Sequence, residues 1–485
     1  MEKEAKKNQF LLKTIFSTVS KFSKIILSLA AIVFLVAAFF YRLNYQALQS
    51  YDEAWYAGIS RNILLTKNPF RLEFNQAHFT DHPPLGFILM AIPAAVGGSN
   101  ELTARFVPAL LGIGSIILIY LIGKKISGQS VGISAGAILL SSLWFMLRAR
   151  SGNLDLPFFF WTVFTFYQLL HFETKKTKYF YLATVGLAAL LLTKTLIGVG
   201  MIPVFTYYLW LNRATLSPKL IGKNIALLLV LVLPWYIYNQ SLDSSFLFHH
   251  FFEIGMRGGK TSYSLVNLSR SGFYLQVGMG RWFKVFLLSA FPSLGLLFWQ
   301  KQTRQKITGL WVWLLGFSFP LVLASSVEVW HLLPLYAPIA LIVTYSVFRA
   351  VNLVNWPVLK TLTLIGFLSL AGYQFWQSAN LFYPPEPQLS AQKQISLQAR
   401  GHSPIYLIAD FFPAAVYYSQ EKVVPIGLQK DAYQQLVSLL AQESNVFIVD
   451  QPIVKDLERD KIPFQNISQE SNYYLIKGLD SRIEG

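Results

Sequence analysis

Two adjacent carboxylates, Asp52 and Glu53, follow the first long apolar stretch of the chain, within the sequence Tyr-Asp-Glu-Ala-Trp-Tyr of residues 51–56. Acidic side chains are costly near hydrocarbon and contribute little to membrane topology, so this pair needs either a partner or a role. A carboxylate within hydrogen-bond reach of a hydroxyl can take its proton while the oxygen attacks. The alternative interpretation is a solvated loop.

Further ionisable residues stand at the ends of other apolar stretches. The cations suited to facing a phosphate are His82, Lys194, Arg257 and His331. Asp81 with His249 or His250 could bind one divalent metal ion through carboxylate and imidazole ligands. The two histidines could equally be interfacial residues of the aromatic run 246–252. Arg148 and Arg150 could contact phosphate, but they could also be snorkelling anchors.

The composition predicts a polytopic α-helical membrane protein, and we expect its helices to position these residues. Of the 485 residues, 54% are hydrophobic and 13% are charged, whereas soluble domains carry about 25% charged residues. About eleven stretches are apolar enough to cross a membrane, at residues 25–43, 105–123, 131–147, 155–172, 179–193, 196–212, 223–238, 282–299, 309–325, 331–348 and 357–376. The shorter run 83–96 contains three prolines and predicts an interfacial helix.

The distribution of cations predicts the orientation. With the amino terminus in the cytoplasm, the inner connections carry almost only Lys and Arg, while the acids and histidines named above all lie on the outer face. We therefore expect a cell membrane protein with an extracytoplasmic site formed by the outer segments 44–104 and 239–281. Residues 1–24 predict a basic amphipathic segment on the anionic inner leaflet.

The same distribution excludes several classes of partner. The basic pI reflects topology, so we expect no nucleic-acid partner. The chain has no cysteine, which excludes disulfides, a thiol nucleophile and a thiolate metal site. We also expect no nucleotide or redox cofactor. The segment 239–281 contains Gly255, Gly258 and Gly259 and predicts a mobile lid.

The carboxyl-terminal residues 377–480 predict a small extracytoplasmic α/β domain. Its expected strands are 405–409, 423–426, 446–449 and 473–476, with a helix at 431–443. Without a Gly-rich phosphate loop or a carboxylate pair, this domain suits acceptor docking or a structural cap. Residues 481–485 match most of a common protease-tag site and are expected to be a tag remnant.

The order of the motifs resembles the bacterial GT-C glycosyltransferases. The motifs are Asp52-Glu53-Ala-Trp-Tyr56, Phe79-Thr-Asp81-His82-Pro-Pro-Leu85, Ala104-Arg105-Phe106-Val-Pro108, Asp155-Leu-Pro157, Thr193-Lys194 and His331-Leu-Leu-Pro334-Leu-Tyr336-Ala-Pro338. Each motif is weak alone, but six in the family's order are specific. The resemblance covers residues 25 to about 350. It is strongest to the branch of the lipid A aminoarabinose transferases and the protein O-mannosyltransferase superfamily.

The resemblance implies a polyprenyl-phosphate-linked sugar as donor, transfer on the extracytoplasmic face, and inversion at the anomeric carbon. It implies that Asp52 is the catalytic base and that Asp155 is the second acidic residue of the site. Because a single displacement needs only one base, we expect Glu53 to orient the loop or to hydrogen-bond the surroundings of Asp52. Tyr56 joins His82, Lys194, Arg257 and His331 as a candidate for donor binding. Where the family usually has Glu-Lys, Arg and Tyr, this chain has Asp81-His82, Trp55 and His331.

Other functions remain open from the sequence. The acceptor, through a hydroxyl or a phosphate, could be a cell-envelope glycan, lipid or protein, and membrane lipids surround the chain. A polymerase or ligase of lipid-linked glycans is the nearest enzymatic alternative. A transporter of lipid-linked sugars would favour internal repeats and charged residues near mid-span, neither of which is evident. A non-catalytic scaffold would leave the outer carboxylates unexplained.

Overall fold

The computed structural model describes residue 23 and residues 25–172, 177–254, 272–298, 301–323, 328–426, 432–442 and 445–479. The predicted donor ligand Arg257, the tag remnant 481–485 and, apart from residue 23, the basic segment 1–24 lie outside these ranges.

Helices build the amino-terminal part of the chain. Long apolar segments fold as helices because a helix satisfies every backbone hydrogen bond internally. In chain order they are α1 (Ile25–Phe40), α2 (Asp52–Thr66), α3 (Leu85–Gly97), α4 (Glu101–Ser127), α5 (Gln129–Leu140), α6 (Leu143–Ala149), α7 (Asp155–Phe172), α8 (Thr177–Leu191), α9 (Thr195–Gly198), α10 (Ile202–Leu211), α11 (Pro218–Leu242), α12 (Phe246–Phe248), α13 (Gly280–Ala290), α14 (Lys301–Leu323), α15 (Leu333–Leu353) and α16 (Pro357–Phe382).

Every one of the predicted apolar stretches is largely helical, and the interfacial run 83–96 contains α3. Within the described residues, four helical segments are long and apolar enough to cross a membrane alone: α4, α11, Val329–Leu353 and α16. The consecutive helices α5 and α6 are bent by 74° and would add a fifth if they form one span. The count of eleven spans stays a prediction.

Close helix packing supports this part of the molecule. A Cβ on Gly132 would lie 2.3 Å from the Tyr120 carbonyl oxygen, and one on Gly123 would lie 2.6 Å from the Gly132 Cα. These glycines therefore allow the backbones of α4 and α5 to approach, as small residues do between membrane helices. The bend that follows directs α6 and its last residues toward the ends of α2 and α7.

The segment 239–281, predicted as a lid, contains short helical pieces wherever it is described. Helix α11 extends to Leu242, α12 follows, and π-helical turns occupy His249–Glu253 and Tyr274–Gly278. Gly255, Gly258 and Gly259 lie outside the described residues, so the lid stays a prediction.

The carboxyl-terminal part contains the expected α/β domain. Helix α16 continues to Phe382, past the predicted boundary at residue 376. The strands are β3 (Ile405–Ile408), β4 (Val423–Pro425), β5 (Val446–Asp450), β6 (Phe464–Glu470) and β7 (Tyr473–Gly478), and the helices are α17 (Ser390–Gln398), α18 (Phe412–Ser419), α19 (Ala432–Leu440) and α20 (Gln451–Arg459). A separate hairpin pairs β1 (Glu73–Phe74) with β2 (Ala77–His78).

The five-stranded sheet has the order β4-β3-β5-β7-β6. Strands β3, β4 and β5 are parallel, whereas β7 is antiparallel to both β5 and β6. Strand β6 was not predicted because its sequence, Phe-Gln-Asn-Ile-Ser-Gln-Glu, is largely polar. As an edge strand it has little apolar periodicity to detect.

The domain shares one hydrophobic cluster with helices α2, α3 and α4 and forms a second cluster among its own residues. Ala57 and Ile59 of α2 belong to the same buried cluster as Ile405 of β3 and Tyr417 of α18. The outer helix that begins with the two carboxylates is therefore packed directly against the α/β domain.

Candidate active site

The two adjacent carboxylates begin helix α2 and reach in different directions. Asp52 and Glu53 are the first two residues of this helix, where the positive end of the helix dipole favours acidic side chains. Successive residues project roughly 100° apart around a helix. Consequently Asp52 and Glu53 enter different ion pairs.

Asp52 joins a cluster with Arg148, Asp155 and Lys194. The Arg148 Nη2 lies 2.5 Å from Asp52 Oδ2, and Nη2 also contacts Asp155. The Arg148 Nε donates to Asp155 Oδ2 at 2.9 Å, and the Lys194 Nζ donates to Asp155 Oδ1 at 2.5 Å. Two carboxylates and two cations thus meet at the ends of α2, α6, α7 and α8.

Exposure separates the two carboxylates of this cluster. The Asp52 side chain is 33% exposed, whereas that of Asp155 is 5% exposed. Asp52 is therefore accessible from outside the cluster, while Asp155 is surrounded by its cations. Among the described residues, Lys194 Nζ donates only to Asp155, and Arg148 donates only through Nε and Nη2. Both cations retain donors for a further anion.

Local sequence determines how Asp155 is presented. The Asn153 side chain accepts hydrogen bonds from the backbone N–H groups of Asp155 and Leu156 at 2.8 and 3.1 Å, and so caps the start of α7. Asn153 Nδ2 also donates to the Ser151 carbonyl oxygen at 2.7 Å. This turn places Asp155 seven residues after Arg148, on the same end of the helical bundle.

Glu53 forms a second, buried ion pair with Arg105. Their shortest contact is 2.7 Å, and the Glu53 side chain is 2% exposed. Glu53 also accepts from the backbone N–H groups of Gln49 and Gly152. Burial opposes ionisation, but the charge and hydrogen bonds of Arg105 outweigh it and lower the Glu53 pKa. These contacts suit the predicted orienting role of Glu53 and keep it away from any acceptor.

Arg150, for which two interpretations were open, is held by backbone carbonyl oxygens. Its guanidinium donates to the carbonyl oxygens of Ala38, Phe39 and Tyr41 at the carboxyl end of α1 and to that of Phe382 at the end of α16. Helix ends leave such carbonyls without intrahelical partners, and a cation there also complements the helix dipole. Arg150 therefore ties together the outer ends of the first and last described apolar helices.

The segment containing His82 lies beside the Asp52 cluster. Leu85 N donates to the Leu192 carbonyl oxygen at 3.0 Å, two residues before Lys194. A Cβ on Gly86 would lie 2.3 Å from Leu154, the neighbour of Asp155. The rings of Tyr56 and His82 have centroids 5.9 Å apart in an edge-on arrangement. Both predicted donor-binding residues thus adjoin the cluster from the α2–α3 side.

His331 and its neighbour approach from the opposite side. Trp330 covers the Arg148 guanidinium at 4.5 Å, a cation–π arrangement, and His331 interacts electrostatically with Asp155. The backbone N–H of Glu328 donates to His331 Nδ1 at 3.2 Å. The short helical turn Val329–Leu332 therefore brings His331 to the edge of the site, as its predicted role requires.

The predicted metal ligands do not converge on one point. His249 Nε2 lies 3.4 Å from Asp81, while His249 Nδ1 lies 2.6 Å from Glu253. The His250 ring nitrogens face the Thr80 carbonyl oxygen at 3.0 Å and the Thr195 hydroxyl at 3.1 Å. Among the described residues, no group of three or more His, Asp or Glu side chains could hold a metal ion. The metal site stays a prediction, and no step below uses it.

An apolar groove opens next to Lys194. Its volume is about 620 Å³. Its polar lining residues are Thr195 and Tyr236, whose hydroxyls are 2.5 Å apart, together with Gln240 and Ser241. The apolar lining consists of Leu191, Val232, Leu233, Ile237, Leu247 and Phe251. Such a lining fits a hydrocarbon chain, and Thr195 directly follows Lys194 in the chain.

Sequence reasoning underestimated the two arginines. Arg148 was left open between a phosphate contact and an anchor, and Arg105 was noted only within a motif. The sequence feature that pointed to Arg148 was its position near Asp155 at the end of an apolar stretch. Helical spacing alone could not show that Arg148 also contacts Asp52. No sequence pattern paired Arg105 with Glu53, 52 residues away.

Comparison with known proteins supports the same interpretation. Residues 81–238 match the family model described as dolichyl-phosphate-mannose-protein mannosyltransferase. An undecaprenyl phosphate-α-4-amino-4-deoxy-L-arabinose arabinosyl transferase of Pseudomonas savastanoi pv. phaseolicola is 26% identical over 72% of this chain and 67% of its own length. A Pseudomonas fluorescens transferase of the same description is 25% identical over 87% of this chain and 82% of its own length.

Solved structures share the fold. ArnT from Cupriavidus metallidurans bound to undecaprenyl phosphate superposes with a TM-score of 0.74 and 13% identity, covering 95% of this chain and 98% of that one. The Archaeoglobus fulgidus oligosaccharyltransferase has a TM-score of 0.55 and 10% identity, covering 88% and 70%. The chain therefore has the GT-C glycosyltransferase fold of these structures, and its sequence is similar to that of transferases that use an undecaprenyl-phosphate-linked sugar.

Proposed function

We propose that this chain transfers a sugar, with inversion, from an undecaprenyl-phosphate-like donor to an acceptor on the extracytoplasmic face of the cell membrane. The observation that carries the proposal is an apolar groove lined by Thr195, the residue after Lys194, whose amino group belongs to the cluster of Asp52, Arg148 and Asp155. A lipid-linked sugar phosphate needs these three features together: an apolar channel, cations at its polar end, and an exposed carboxylate.

The proposed reaction is a single displacement at the anomeric carbon. The acceptor oxygen attacks from the face opposite the phosphate and forms the new glycosidic bond. The bond between the anomeric carbon and the phosphate oxygen breaks, and polyprenyl phosphate leaves with the electron pair. Asp52 takes the proton of a hydroxyl acceptor, because it is the exposed carboxylate of the cluster.

Arg148 and Lys194 stabilise the leaving phosphate in this proposal. Both are held by Asp155, which orients them without reaching the acceptor. Their remaining donors can meet the charge that develops on the phosphate oxygens, where electrostatic support is worth most. Tyr56, His82 and His331 border the same space and are proposed to contact the donor's phosphate or sugar.

The test uses the purified full chain in lipid nanodiscs. It is incubated with undecaprenyl-phosphate-linked sugars, including the 4-amino-4-deoxy-L-arabinose donor named for its relatives, and with lipid, glycan and peptide acceptors. Mass spectrometry should detect glycosylated acceptor and free undecaprenyl phosphate in equal amounts. Excess undecaprenyl phosphate should inhibit competitively. Absence of product from every donor, together with no binding of undecaprenyl phosphate, would contradict the proposal.

The proposed orientation has its own test. Because the chain has no native cysteine, single cysteines can be introduced at exposed positions without a background. An impermeant maleimide applied to intact cells should label Ser438→Cys and Val96→Cys and spare Thr177→Cys. Labelling at residue 177 with protection of residue 438 would reverse the orientation.

A further inference from the structure

The segment that precedes the proposed base is held almost residue by residue by the carboxyl-terminal part of the chain. Tyr45 and Gln46 donate to the carbonyl oxygens of Pro385 and Glu386 at 2.9 and 2.8 Å. Leu48 N donates to the Tyr418 hydroxyl at 2.7 Å, and Ala414 N lies 3.4 Å from Ser50 Oγ. The last contact in this series comes from Tyr51, the neighbour of Asp52.

Tyr51 occupies a backbone conformation that needs external support. Its φ is 69° and its ψ is −103°, a region that non-glycine residues rarely adopt. Such conformations persist where surrounding contacts hold them. The Tyr51 hydroxyl donates to Asp410 Oδ1 at 2.7 Å, and this hydrogen bond raises the Tyr51 pKa. Tyr51 occupies the N-cap position directly before α2. Its backbone conformation therefore sets the direction in which Asp52 leaves the loop.

Asp410 stands at a particular place in the sheet. It follows strand β3, which lies between its parallel neighbours β4 and β5. The chain leaves β3 through α18 toward β4 on one side and then crosses through α19 to β5 on the other. In open α/β sheets, the crevice at the carboxyl ends of strands where the connections diverge is the usual ligand position. In this domain the Tyr51 hydroxyl of the membrane part contacts Asp410 at that end of the sheet.

We propose that the carboxyl-terminal domain is a positioning element for the catalytic carboxylate, and that the Tyr51–Asp410 hydrogen bond at the switch point of its sheet sets the orientation of Asp52. This inference rests on the proposed function, because it assumes that Asp52 is the base. Tyr51 and Asp410 are positioning residues that act through Asp52. Because the Tyr51 side chain is 51% exposed, its ring contributes little packing. A Tyr51 variant therefore tests the hydrogen bond and not the packing of the ring.

The loop geometry can be measured without turnover. Cysteines introduced at Gln49, on the loop, and at Val96, on α3, carry spin labels in the full chain, and electron–electron double resonance gives their distance distribution. Tyr51→Phe should broaden this distribution. The matched control is Tyr433→Phe, because the Tyr433 hydroxyl donates to Asp460 at 2.9 Å elsewhere in the same domain. The control should leave the distribution narrow.

Turnover provides the second readout. Tyr51→Phe and Asp410→Ala should each lower kcat about five- to tenfold, which lies within the range of one typical intramolecular hydrogen bond. Affinity for undecaprenyl phosphate should change less than twofold. Asp410→Asn keeps an accepting oxygen and should restore most of the rate, and Tyr51→Phe/Asp410→Ala should be no slower than either single variant. Thermal unfolding of Tyr51→Phe should match that of Tyr433→Phe.

The two readouts keep the inference separate from the proposed function. If the unaltered chain shows no turnover, the proposed function fails while the distance measurement still reports on the loop. A narrow distribution in Tyr51→Phe, an unchanged kcat, or equal losses in Asp410→Asn and Asp410→Ala would each overturn the positioning role.

Discussion

Two ion-pair clusters begin at neighbouring residues of α2 and differ in how fully their cations are used. Arg105 directs all five of its N–H donors to Glu53 and to the carbonyl oxygens of Leu43, Gln46 and Ala47. Arg148 and Lys194 contact carboxylates, but some of their N–H donors have no acceptor among the described residues. The first cluster is closed to solvent, and the second includes the partly exposed Asp52.

The difference indicates how one short helix serves both stability and chemistry. A buried pair whose hydrogen bonds are all satisfied fixes the loop but has nothing left for a substrate. A pair with spare donors is less complete as a structural element, yet it can accept a phosphate and release it. We therefore expect the Glu53 cluster to stabilise the structure of the site and the Asp52 cluster to bind the substrate and take part in the reaction.

The largest expected effect separates the two neighbouring acids. Asp52→Asn should lower turnover by roughly two to four orders of magnitude, because it removes the base. Undecaprenyl phosphate binding should remain. Glu53→Gln should instead lower thermal stability and leave more activity per folded molecule. Equal kinetic losses in both variants would contradict the division into two clusters.

Removing the buried cation should test the structural cluster. Arg105→Ala leaves Glu53 buried without its partner, which typically costs about 3–5 kcal/mol. Thermal unfolding in detergent measures this loss. The control is Arg71→Ala, whose partner Glu73 and own side chain are partly exposed and whose pair is expected to contribute about 0–1 kcal/mol. Similar midpoints for the two variants would show that the Glu53 cluster is not structurally important.

Substitutions in the Asp52 cluster should change the affinity for the donor lipid. Lys194→Ala removes a charge-assisted contact and should weaken undecaprenyl phosphate binding about ten- to a hundredfold. Lys194→Arg keeps the positive charge and should retain more of the affinity. Isothermal calorimetry in nanodiscs provides the measurement. Undiminished affinity in Lys194→Ala would assign the phosphate to Arg148 or to the residues around His82.

A smaller effect is expected at His249, outside both clusters. Its hydrogen bond to Glu253, together with the charge and hydrogen bond of Asp81, raises the His249 pKa. A raised folded-state pKa stabilises the fold fully below the unfolded value, about 6.5, and this contribution is lost as pH rises through the folded value. Exposure limits it to about 1 kcal/mol or less.

Thermal unfolding followed from pH 6 to pH 9 should therefore show a small decline that His249→Asn reduces. His402→Asn, which removes an imidazole from the carboxyl-terminal domain, serves as the control. An identical pH dependence in the unaltered chain and in His249→Asn would show that these contacts do not contribute.

Much of the fold could be predicted because hydrophobic burial leaves a local pattern. The long apolar stretches, the interfacial run 83–96 and four of the five strands in the carboxyl-terminal sheet were all visible as composition or periodicity. The polar edge strand β6 was missed because an exposed strand needs no apolar alternation. The helical character of residues 246–253 was missed because an aromatic run with two histidines has no distinct period.

The sequence by itself determined the class of protein and the candidate base at Asp52, since both depend on residue type and order along the chain. The shared outer face of the ionisable residues stays a prediction from the same information. Only the tertiary structure decided the partners. It paired Asp52 with Arg148, Glu53 with Arg105, and Tyr51 with Asp410. The members of these pairs are 96, 52 and 359 positions apart in the sequence. The physical reason is that an ion pair or hydrogen bond depends on separation in space to within a fraction of an ångström, and only the packing of helices, loops and the carboxyl-terminal sheet sets that separation.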